Sequence, residues 1–228
     1  AYIKGPAVIL RNAEFRTYLG IVLTAMLLIA LNLILSMGMD GDMAARVAVF
    51  QVTSLSTTGF VSADFETWPT FSKMVLLLLM VIGGCAGSTA SGIKVARLIL
   101  LVRNARAVVL QKLNPNRVVD ITLTGAHVDG ALLLRVGTFF FLYLAVIFVT
   151  AFLLAMDGLL PFDAVAVAIT TIGNIGPAFG IVSATSTYAP LSDFSKAILC
   201  LTMLLGRLEI FTLLILLQPS FWRRTYRW

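Results

Sequence analysis

Two glycine-containing turns in this sequence could coordinate a cation through their backbone carbonyls. Residues 56–60 read Ser-Thr-Thr-Gly-Phe and residues 173–177 read Gly-Asn-Ile-Gly-Pro, each after a short apolar run, Met43–Leu55 or Ala164–Ile172. The C-terminal end of a helix carries about half a negative charge. Gly59 and Gly176 would let the following carbonyls turn and replace the water shell of an ion. The turns therefore predict binding of an alkali cation. A re-entrant hairpin of purely structural role is the alternative for the first segment.

The composition places these turns inside a membrane. The chain is 59% hydrophobic and 12% charged, with a mean hydropathy of +0.97, which indicates an integral membrane protein. A membrane-crossing helix needs roughly 20 residues, so the two short runs are predicted to enter the membrane and turn back. The net charge of +6 does not indicate nucleic-acid binding, because the basic residues lie at the ends of apolar segments.

A third glycine-rich stretch predicts a broken helix. Residues 83–92 read Gly-Gly-Cys-Ala-Gly-Ser-Thr-Ala-Ser-Gly between the apolar runs Phe71–Ile82 and Val95–Val102. This composition disfavours a continuous helix, and its freed backbone groups are expected to line a cavity. Close packing of helices through small residues is the alternative. A phosphate-binding loop is excluded because Ile93 precedes Lys94 and no serine or threonine follows.

The apolar run Phe194–Gln218 has a basic residue near its middle, Arg207, in the motif Gly-Arg-Leu-Glu-Ile of residues 206–210. A charge at membrane depth marks an ion path or a buried ion pair, so Arg207 either faces a pore or pairs with Glu209 or a neighbouring helix. The sequence contains no Ser/His pair or metal-ligand cluster, and Glu209 is the single carboxylate at membrane depth. An enzyme is therefore not predicted.

The elements that position these residues occur twice. A spanning helix, a short helix with a glycine turn, and a second spanning helix are followed by the same three elements. Tyr18 and Gly59 are 41 residues apart, Val136 and Gly176 are 40 apart, and Phe-Ser-Lys recurs at residues 71–73 and 194–196. Adding 123 residues to Gly83 gives Gly206, so the glycine break is predicted to face the Gly-Arg motif.

The predicted fold is an all-α integral membrane protein with two helix–pore-helix–helix repeats. The predicted spanning helices are Tyr18–Met37, the interrupted Phe71–Val102, Val136–Met156 and Phe194–Gln218.

A polar connection, Arg103–Asp129, separates the repeats and predicts a small β-hairpin around Thr124-Gly125-Ala126. His127 is expected to be a solvated side chain there.

Basic residues concentrate before the first helix, around this connection and at the C-terminus, which predicts cytoplasmic termini and short helices that enter from outside. Aspartates are expected to cap the short helices on the acidic outer side. Cys85 and Cys200 are expected to be reduced packing residues. The predicted parts are a cytoplasmic lead-in (1–16), a first repeat (17–103), a cytoplasmic connection with the hairpin (104–130), a second repeat (131–219) and a cytoplasmic tail (220–228).

The motifs at 56–60, 83–94, 173–177 and 206–210 occur in an order that resembles the TrkH branch of the Trk/Ktr/HKT potassium-transporter superfamily. Members carry four helix–pore-helix–helix repeats around one pseudo-fourfold pore. This chain resembles the third and fourth repeats, which are the C-terminal half. The resemblance implies that the permeant ion is K⁺, without an organic cofactor.

The resemblance also implies roles for individual residues. Filter carbonyls would come from Thr57, Thr58 and Gly59 in the third repeat and from Asn174, Ile175 and Gly176 in the fourth. Arg207 matches an arginine below the filter that acts as a barrier to cations. Ser91 and Ala178 stand where members often have glycine. The intramembrane gate loop corresponds to residues 83–94, with Gly83, Gly84, Gly87, Ser88, Thr89, Ser91, Gly92 and Lys94 as its candidate residues.

The resemblance implies channel-like potassium uptake across a bacterial-type inner membrane, gated from the cytoplasm. The implied partners are the lipid bilayer, the first two repeats of the same transporter, a second copy in a homodimer, and a ring of cytosolic nucleotide-binding regulatory subunits of the TrkA type. An ion-coupled secondary transporter driven by Na⁺ or H⁺ is the alternative, because broken helices also occur in such proteins. Entry of both short helices from the same side favours the channel.

Overall fold

The computed structural model is almost entirely helical and describes residues 12–88, 90–114, 120–123, 126–208 and 210–222. Short 3₁₀ turns at Phe65–Thr67 and Gly180–Val182 follow the two glycine turns. The strands β1 (Thr122–Leu123) and β2 (Ala126–His127) pair antiparallel, as the hairpin prediction requires. The helices are α1 (Ala13–Met37), α2 (Gly41–Leu55), α3 (Thr70–Ile82), α4 (Val95–Leu113), α5 (Gly130–Met156), α6 (Pro161–Gly173), α7 (Asp193–Arg207), α8 (Ile210–Leu217) and α9 (Pro219–Trp222).

The order of elements confirms the repeat. In α1–α2–α3 and in α5–α6–α7, a long helix precedes a short pore helix and a returning helix. The serine of each Phe-Ser-Lys motif is fully buried and closes its repeat with an equivalent bond. Ser72 Oγ donates to Asn32 Oδ1 at 2.7 Å, and Ser195 Oγ donates to the Asp157 carboxylate at 2.6 Å. Each bond ties the start of the returning helix to the first helix or to its end.

The first helix shows how an apolar exterior is combined with a packed interior. Val22, Ala25, Ile29 and Leu33 form a buried stripe on α1, whereas the opposite face exposes Leu23, Leu27, Leu31 and Leu35. A helix that is apolar on all sides and buried on one side is suited to lipid on the other. Among the described helices, α1 and α5 are each long and apolar enough to cross a membrane.

The last apolar run departs from the prediction of one continuous helix over 194–218. It forms α7 and α8, whose axes are bent by 109° at a break after Arg207. The bend has a packing reason. Ile210 is 98% buried in the core after the bend, whereas Arg207 is exposed and lines a cavity of about 220 Å³. A straight helix would carry the apolar residues that follow Arg207 away from this core.

The predicted break between Phe71–Ile82 and the following apolar run is confirmed, since no helix covers the described residues between Ile82 and Val95. The helix after the break is longer than predicted. It continues beyond Val102 to Leu113 and occupies part of the predicted polar connection, Arg103–Asp129. Leucine, arginine, alanine and lysine in this stretch are good helix formers, so the helix continues after its hydropathy falls.

The pore helices differ in burial and are not capped as predicted. Nine of the thirteen residues of α6 are buried, including all of residues 166–173, which places the C-terminal part of this helix inside the fold, whereas α2 buries about half of its residues. Asp40 is the N-cap residue of α2 but makes no side-chain cap bond, and α6 begins after Leu160 with Pro161 at its first position. The aspartate caps are therefore wrong. Proline at the first position lacks an N–H, so this helix start has one fewer donor that a cap would have to accept from.

The cysteine and histidine expectations are met in part. Cys85 and Cys200 are both free thiols, but Cys200 is exposed on α7 instead of packed inside the fold. His127 is exposed, and its Nδ1 atom hydrogen-bonds the Asp120 carboxylate beside the hairpin. Arg103 also donates to the Thr122 carbonyl, so the hairpin is held against α4.

Candidate ion filter and gate

The first turn is built by one carbonyl at the end of α2. The amide N–H groups of Thr57, Thr58 and Gly59 all donate to the Ser54 carbonyl, at 3.1, 2.7 and 2.9 Å. Gly59 then adopts a φ of +80°, a conformation that a side chain would strain. The Ser54 carbonyl at the helix end is therefore hydrogen-bonded within the turn. The carbonyls of residues 57–59 take no part in these three bonds.

The second turn follows α6 and is similar, with one additional residue. Asn174 takes a left-handed conformation at φ +53°, and Ile175 N–H donates to the Thr170 carbonyl at 3.0 Å. Gly176 has a φ of +115°. Its carbonyl accepts a 2.5 Å hydrogen bond from the Tyr188 hydroxyl, which leaves one lone pair of that oxygen for another partner.

The two turns lie directly against each other. A Cβ atom placed on Gly59 would overlap the carbonyl oxygen of Ile175. The absence of a side chain at this position is what permits the contact. Thr58 is exposed and Ile175 is buried, while Thr57, Gly59, Asn174 and Gly176 are partly exposed at the shared surface of the turns. The predicted filter residues of both repeats therefore form one cluster.

Residues 83–94, predicted as the gate loop, form a closed loop beside this cluster. Gly83 has a φ of +70°, and a Cβ atom there would overlap the Ser91 carbonyl, so the two ends of the loop touch. Backbone bonds from Lys94 N–H to the Ile82 carbonyl and from Val95 N–H to the Gly84 carbonyl, both 3.0 Å, close it further. Thr89 lies outside the described residues, and Gly87 has no atom near its missing side chain.

The loop contacts both turns and the start of α1. Asn174 Nδ2 donates to Ser91 Oγ at 3.1 Å, which joins the loop to the second turn. A Cβ atom on Gly84 would lie 3.3 Å from a methyl carbon of Thr57, so this glycine faces the first turn. The carboxylate of Glu14 accepts a hydrogen bond from Ala86 N–H on the other side of the loop.

A cavity of about 220 Å³ lies between this loop and the bend after α7. Gly206 packs so closely on the end of α6 that a Cβ atom would overlap the Ile172 carbonyl. This contact places Arg207 at the cavity wall, and the predicted proximity of the glycine break and the Gly-Arg motif is confirmed. The Arg97 guanidinium lies 4.0 Å from the ring centroid of Phe139 at the same cavity. Glu209 lies outside the described residues. The lining residues are Ser88, Ala90, Ser91, Gly92, Lys94, Arg97, Phe139, Tyr143, Ile172, Leu205, Gly206, Arg207 and Ile210.

Comparison with known proteins decides what this arrangement belongs to. The family model TrkH, described as a cation transport protein, matches residues 17–224. The chain belongs to the TrkH family. It is 37% identical to the Trk system potassium uptake protein TrkH of Salmonella typhimurium over 215 residues, which cover 93% of this chain and 44% of that protein. The TrkH protein of Escherichia coli K12 is 36% identical over the same share of both chains.

The crystal structure of the potassium transporter TrkH from Vibrio parahaemolyticus has the same fold. It superposes with a TM-score of 0.87 at 36% identity, over 96% of this chain and 47% of that one. The present chain thus spans about half the length of the TrkH relatives it matches. The predicted family and the all-α membrane fold are confirmed, and the TrkH family consists of transporters rather than enzymes.

Several residues of this TrkH site were not found from the sequence. Ser54 and Thr170 donate to backbone carbonyls beyond the glycines, Tyr188 reaches the Gly176 carbonyl, and Glu14 contacts the loop. For Ser54 and Thr170, the sequence signal was a hydroxyl residue in the last turn of each pore helix. The contacts of Tyr188 and Glu14 join residues that are 12 and 72 positions from their partners and had no local signal.

Tyr188 lies in the polar segment between α6 and α7, outside the helices. Burial raises the pKa of its hydroxyl to about 12. The phenol is therefore protonated at neutral pH and can only donate to the Gly176 carbonyl. A second contact holds the same segment. Glu66 accepts from Gly180 N–H at 3.1 Å and pairs with Lys73 at 2.6 Å, so the first repeat supports the second.

Proposed function

We propose that this chain forms half of a potassium-permeation pathway, and that the turns at 57–59 and 174–176 are two of its filter segments. The observation that carries the proposal is the contact between Gly59 and the Ile175 carbonyl, which brings both turns to one place at the ends of two pore helices. Two turns that served only to reverse the chain would not need to contact each other.

The chemistry of these turns suits a large monovalent cation. Carbonyl oxygens replace the hydration shell of K⁺ in backbone filters, and the negative ends of α2 and α6 favour a cation beyond them. Gly59 and Gly176 let the backbone adopt positive φ angles at the ends of these helices. Relatives that are 36–37% identical are named potassium uptake proteins, which supports K⁺ as the permeant ion here.

The remaining carbonyls would come from two further repeats. The chain corresponds to 44% of the Salmonella typhimurium relative, and two filter segments surround only part of an ion. We propose that the first two repeats complete the ring, so that this chain contributes the third- and fourth-type repeats at 17–103 and 131–219. A homodimer of the complete transporter is part of the same proposal.

The loop at 83–94 is proposed to be the gate. Its contacts with Asn174 and near Thr57 place it against both filter segments, and the cavity beside it supplies space for the loop to move. Arg207 at that cavity would present a positive charge that raises the energy of a cation and slows its passage. Movement of the loop away from the turns would open the path.

We propose a bacterial-type inner membrane with cytoplasmic lead-in (1–16), connection (104–130) and tail (220–228). Basic residues concentrate on this side, and acidic residues concentrate on the side from which α2 and α6 enter. The basic C-terminal half of α4 with the adjoining hairpin would then project into the cytoplasm. It is the proposed docking surface for a nucleotide-binding regulatory subunit.

The filter assignment is tested with Gly59→Ser in the complete transporter. The added side chain would displace the Ile175 carbonyl, and we expect a lower ratio of Rb⁺ to Na⁺ uptake in proteoliposomes. Gly20→Ser is the matched control, because no atom lies within 4 Å of its added carbon. Unaltered ion discrimination in Gly59→Ser, at equal protein content, would reject the filter assignment. Reversal potentials that depend on Na⁺ or H⁺ as well as K⁺ would favour the ion-coupled transporter.

A further inference from the structure

Each pore helix ends with a hydroxyl group that reaches past the turn to the far side of the filter glycine. Ser54 Oγ donates to the Phe60 carbonyl at 2.6 Å, and Thr170 Oγ1 donates to the Pro177 carbonyl at 2.7 Å. Phe60 follows Gly59, and Pro177 follows Gly176. The two bonds therefore hold equivalent carbonyls in both repeats, each on the residue that follows the filter glycine.

These bonds are not the usual bonds of helical hydroxyls. Serine and threonine inside a helix commonly bond to a carbonyl three or four residues earlier. The neighbouring threonines do so: Thr53 Oγ1 bonds to the Val49 and Phe50 carbonyls, and Thr171 Oγ1 to the Val167 and Ala168 carbonyls. Ser54 and Thr170 instead bond forward along the chain, by six and seven residues.

The two repeats reach this bond with different local sequences. The second turn contains one more residue between the hydroxyl residue and the glycine. The left-handed conformation of Asn174 accommodates this extra residue. The side chains also differ, serine in one repeat and threonine in the other. The same contact on two unlike turns indicates a shared requirement of the filter and not a consequence of one particular turn.

The bonds act on the orientation of the filter carbonyls. The Ser54 bond holds the Phe60 carbonyl toward α2 and so fixes the peptide between Phe60 and Val61. Gly59 also donates its N–H to the Ser54 carbonyl at 2.9 Å, so it is held from both sides and the rotation of its own carbonyl is restricted. Thr170 is fully buried and Ser54 is 94% buried, so water does not compete for either bond.

We propose that Ser54 and Thr170 are positioning residues that hold the two filter segments in the geometry that selects K⁺ over Na⁺. The proposal rests on the filter assignment above and adds the residues that make the filter rigid. A filter whose carbonyls can rotate inward would adapt to the smaller Na⁺ ion. Without these bonds the ion would still pass, but discrimination would decrease.

The test compares adjacent hydroxyls on the same helices. Ser54→Ala and Thr170→Val remove the bonds, while Thr53→Val and Thr171→Val remove hydroxyls that bond only within their own helix. Each variant of the complete transporter is reconstituted, and the K⁺ to Na⁺ permeability ratio is measured from reversal potentials. We expect a decrease of about three- to tenfold for the first pair, the range for loss of one neutral hydrogen bond, and no decrease for the second.

Thr170→Ser keeps the hydroxyl and is expected to retain the permeability ratio of the parent protein. If Thr170→Val does not reach the membrane, Ser54→Ala decides, because it removes a single oxygen atom. Unaltered ratios in Ser54→Ala, together with a lowered ratio in Gly59→Ser, would overturn the positioning role and leave the filter assignment in place. Unaltered ratios in Ser54→Ala, Thr170→Val and Gly59→Ser would reject the filter assignment itself. An equal decrease in Thr171→Val would show a general effect on α6 and would also overturn the proposal.

Discussion

The hydrogen bond between Asn174 and Ser91 directly connects the second proposed filter segment to the proposed gate loop. Ser91→Ala removes it at a side chain that is 92% buried. Asn174 Nδ2 keeps the Met203 carbonyl as an acceptor at 3.2 Å, so no buried donor loses its last partner. The expected change is therefore that of one neutral hydrogen bond, about 1 kcal/mol. If the bond holds the loop closed, the open population rises by about fivefold.

Rubidium uptake into proteoliposomes measures this change, at ion concentrations where opening of the gate limits the rate. We expect Ser91→Ala to raise the uptake rate by about fivefold at equal protein content. Ser88→Ala is the control in the same loop, because Ser88 Oγ donates to the Cys85 carbonyl within the loop, at 2.8 Å. Unaltered or slower uptake in Ser91→Ala would refute the closing role of the bond, and so would an equal increase in Ser88→Ala.

Two further predictions concern the turn at Gly176 and the packing of Gly206. Tyr188→Phe removes the donor to the Gly176 carbonyl, and we expect the K⁺ to Na⁺ permeability ratio to decrease by about three- to tenfold. The raised pKa of about 12 makes the contribution of this tyrosine to folding stability complete below about pH 10 and lost as the pH rises toward 12. Selectivity of the parent protein should therefore be constant between about pH 6 and about pH 9, and a change in that range or an unaltered ratio in Tyr188→Phe would contradict the assignment. Gly206→Ala would overlap the Ile172 carbonyl and is expected to lower the free energy of unfolding by about 1–3 kcal/mol. The Tm in detergent would fall, whereas Gly137→Ala, with open space around it, should retain the Tm of the parent protein.

The local features of the fold could be predicted from the sequence because they depend on neighbouring residues. The break after Ile82 follows from four glycines in ten residues. The turns at Gly59 and Gly176 follow from the freedom of glycine at positive φ. The repeat was visible because apolar runs and punctuating residues recur at nearly equal spacing, and the same pattern carried the resemblance to the TrkH family.

The site itself depends on contacts between residues that are distant in the chain. The meeting of Gly59 with Ile175, the link between Asn174 and Ser91, and the bend after Arg207 are decided by how the two repeats pack. Hydropathy predicted a straight helix over 194–218, because it depends only on composition and contains no information on the packing of Ile210 into the core. The sequence by itself determined where the backbone could turn and which segments could lie in a membrane. Only the tertiary structure decided that Gly59 meets the Ile175 carbonyl, because this contact depends on packing across more than one hundred residues of chain.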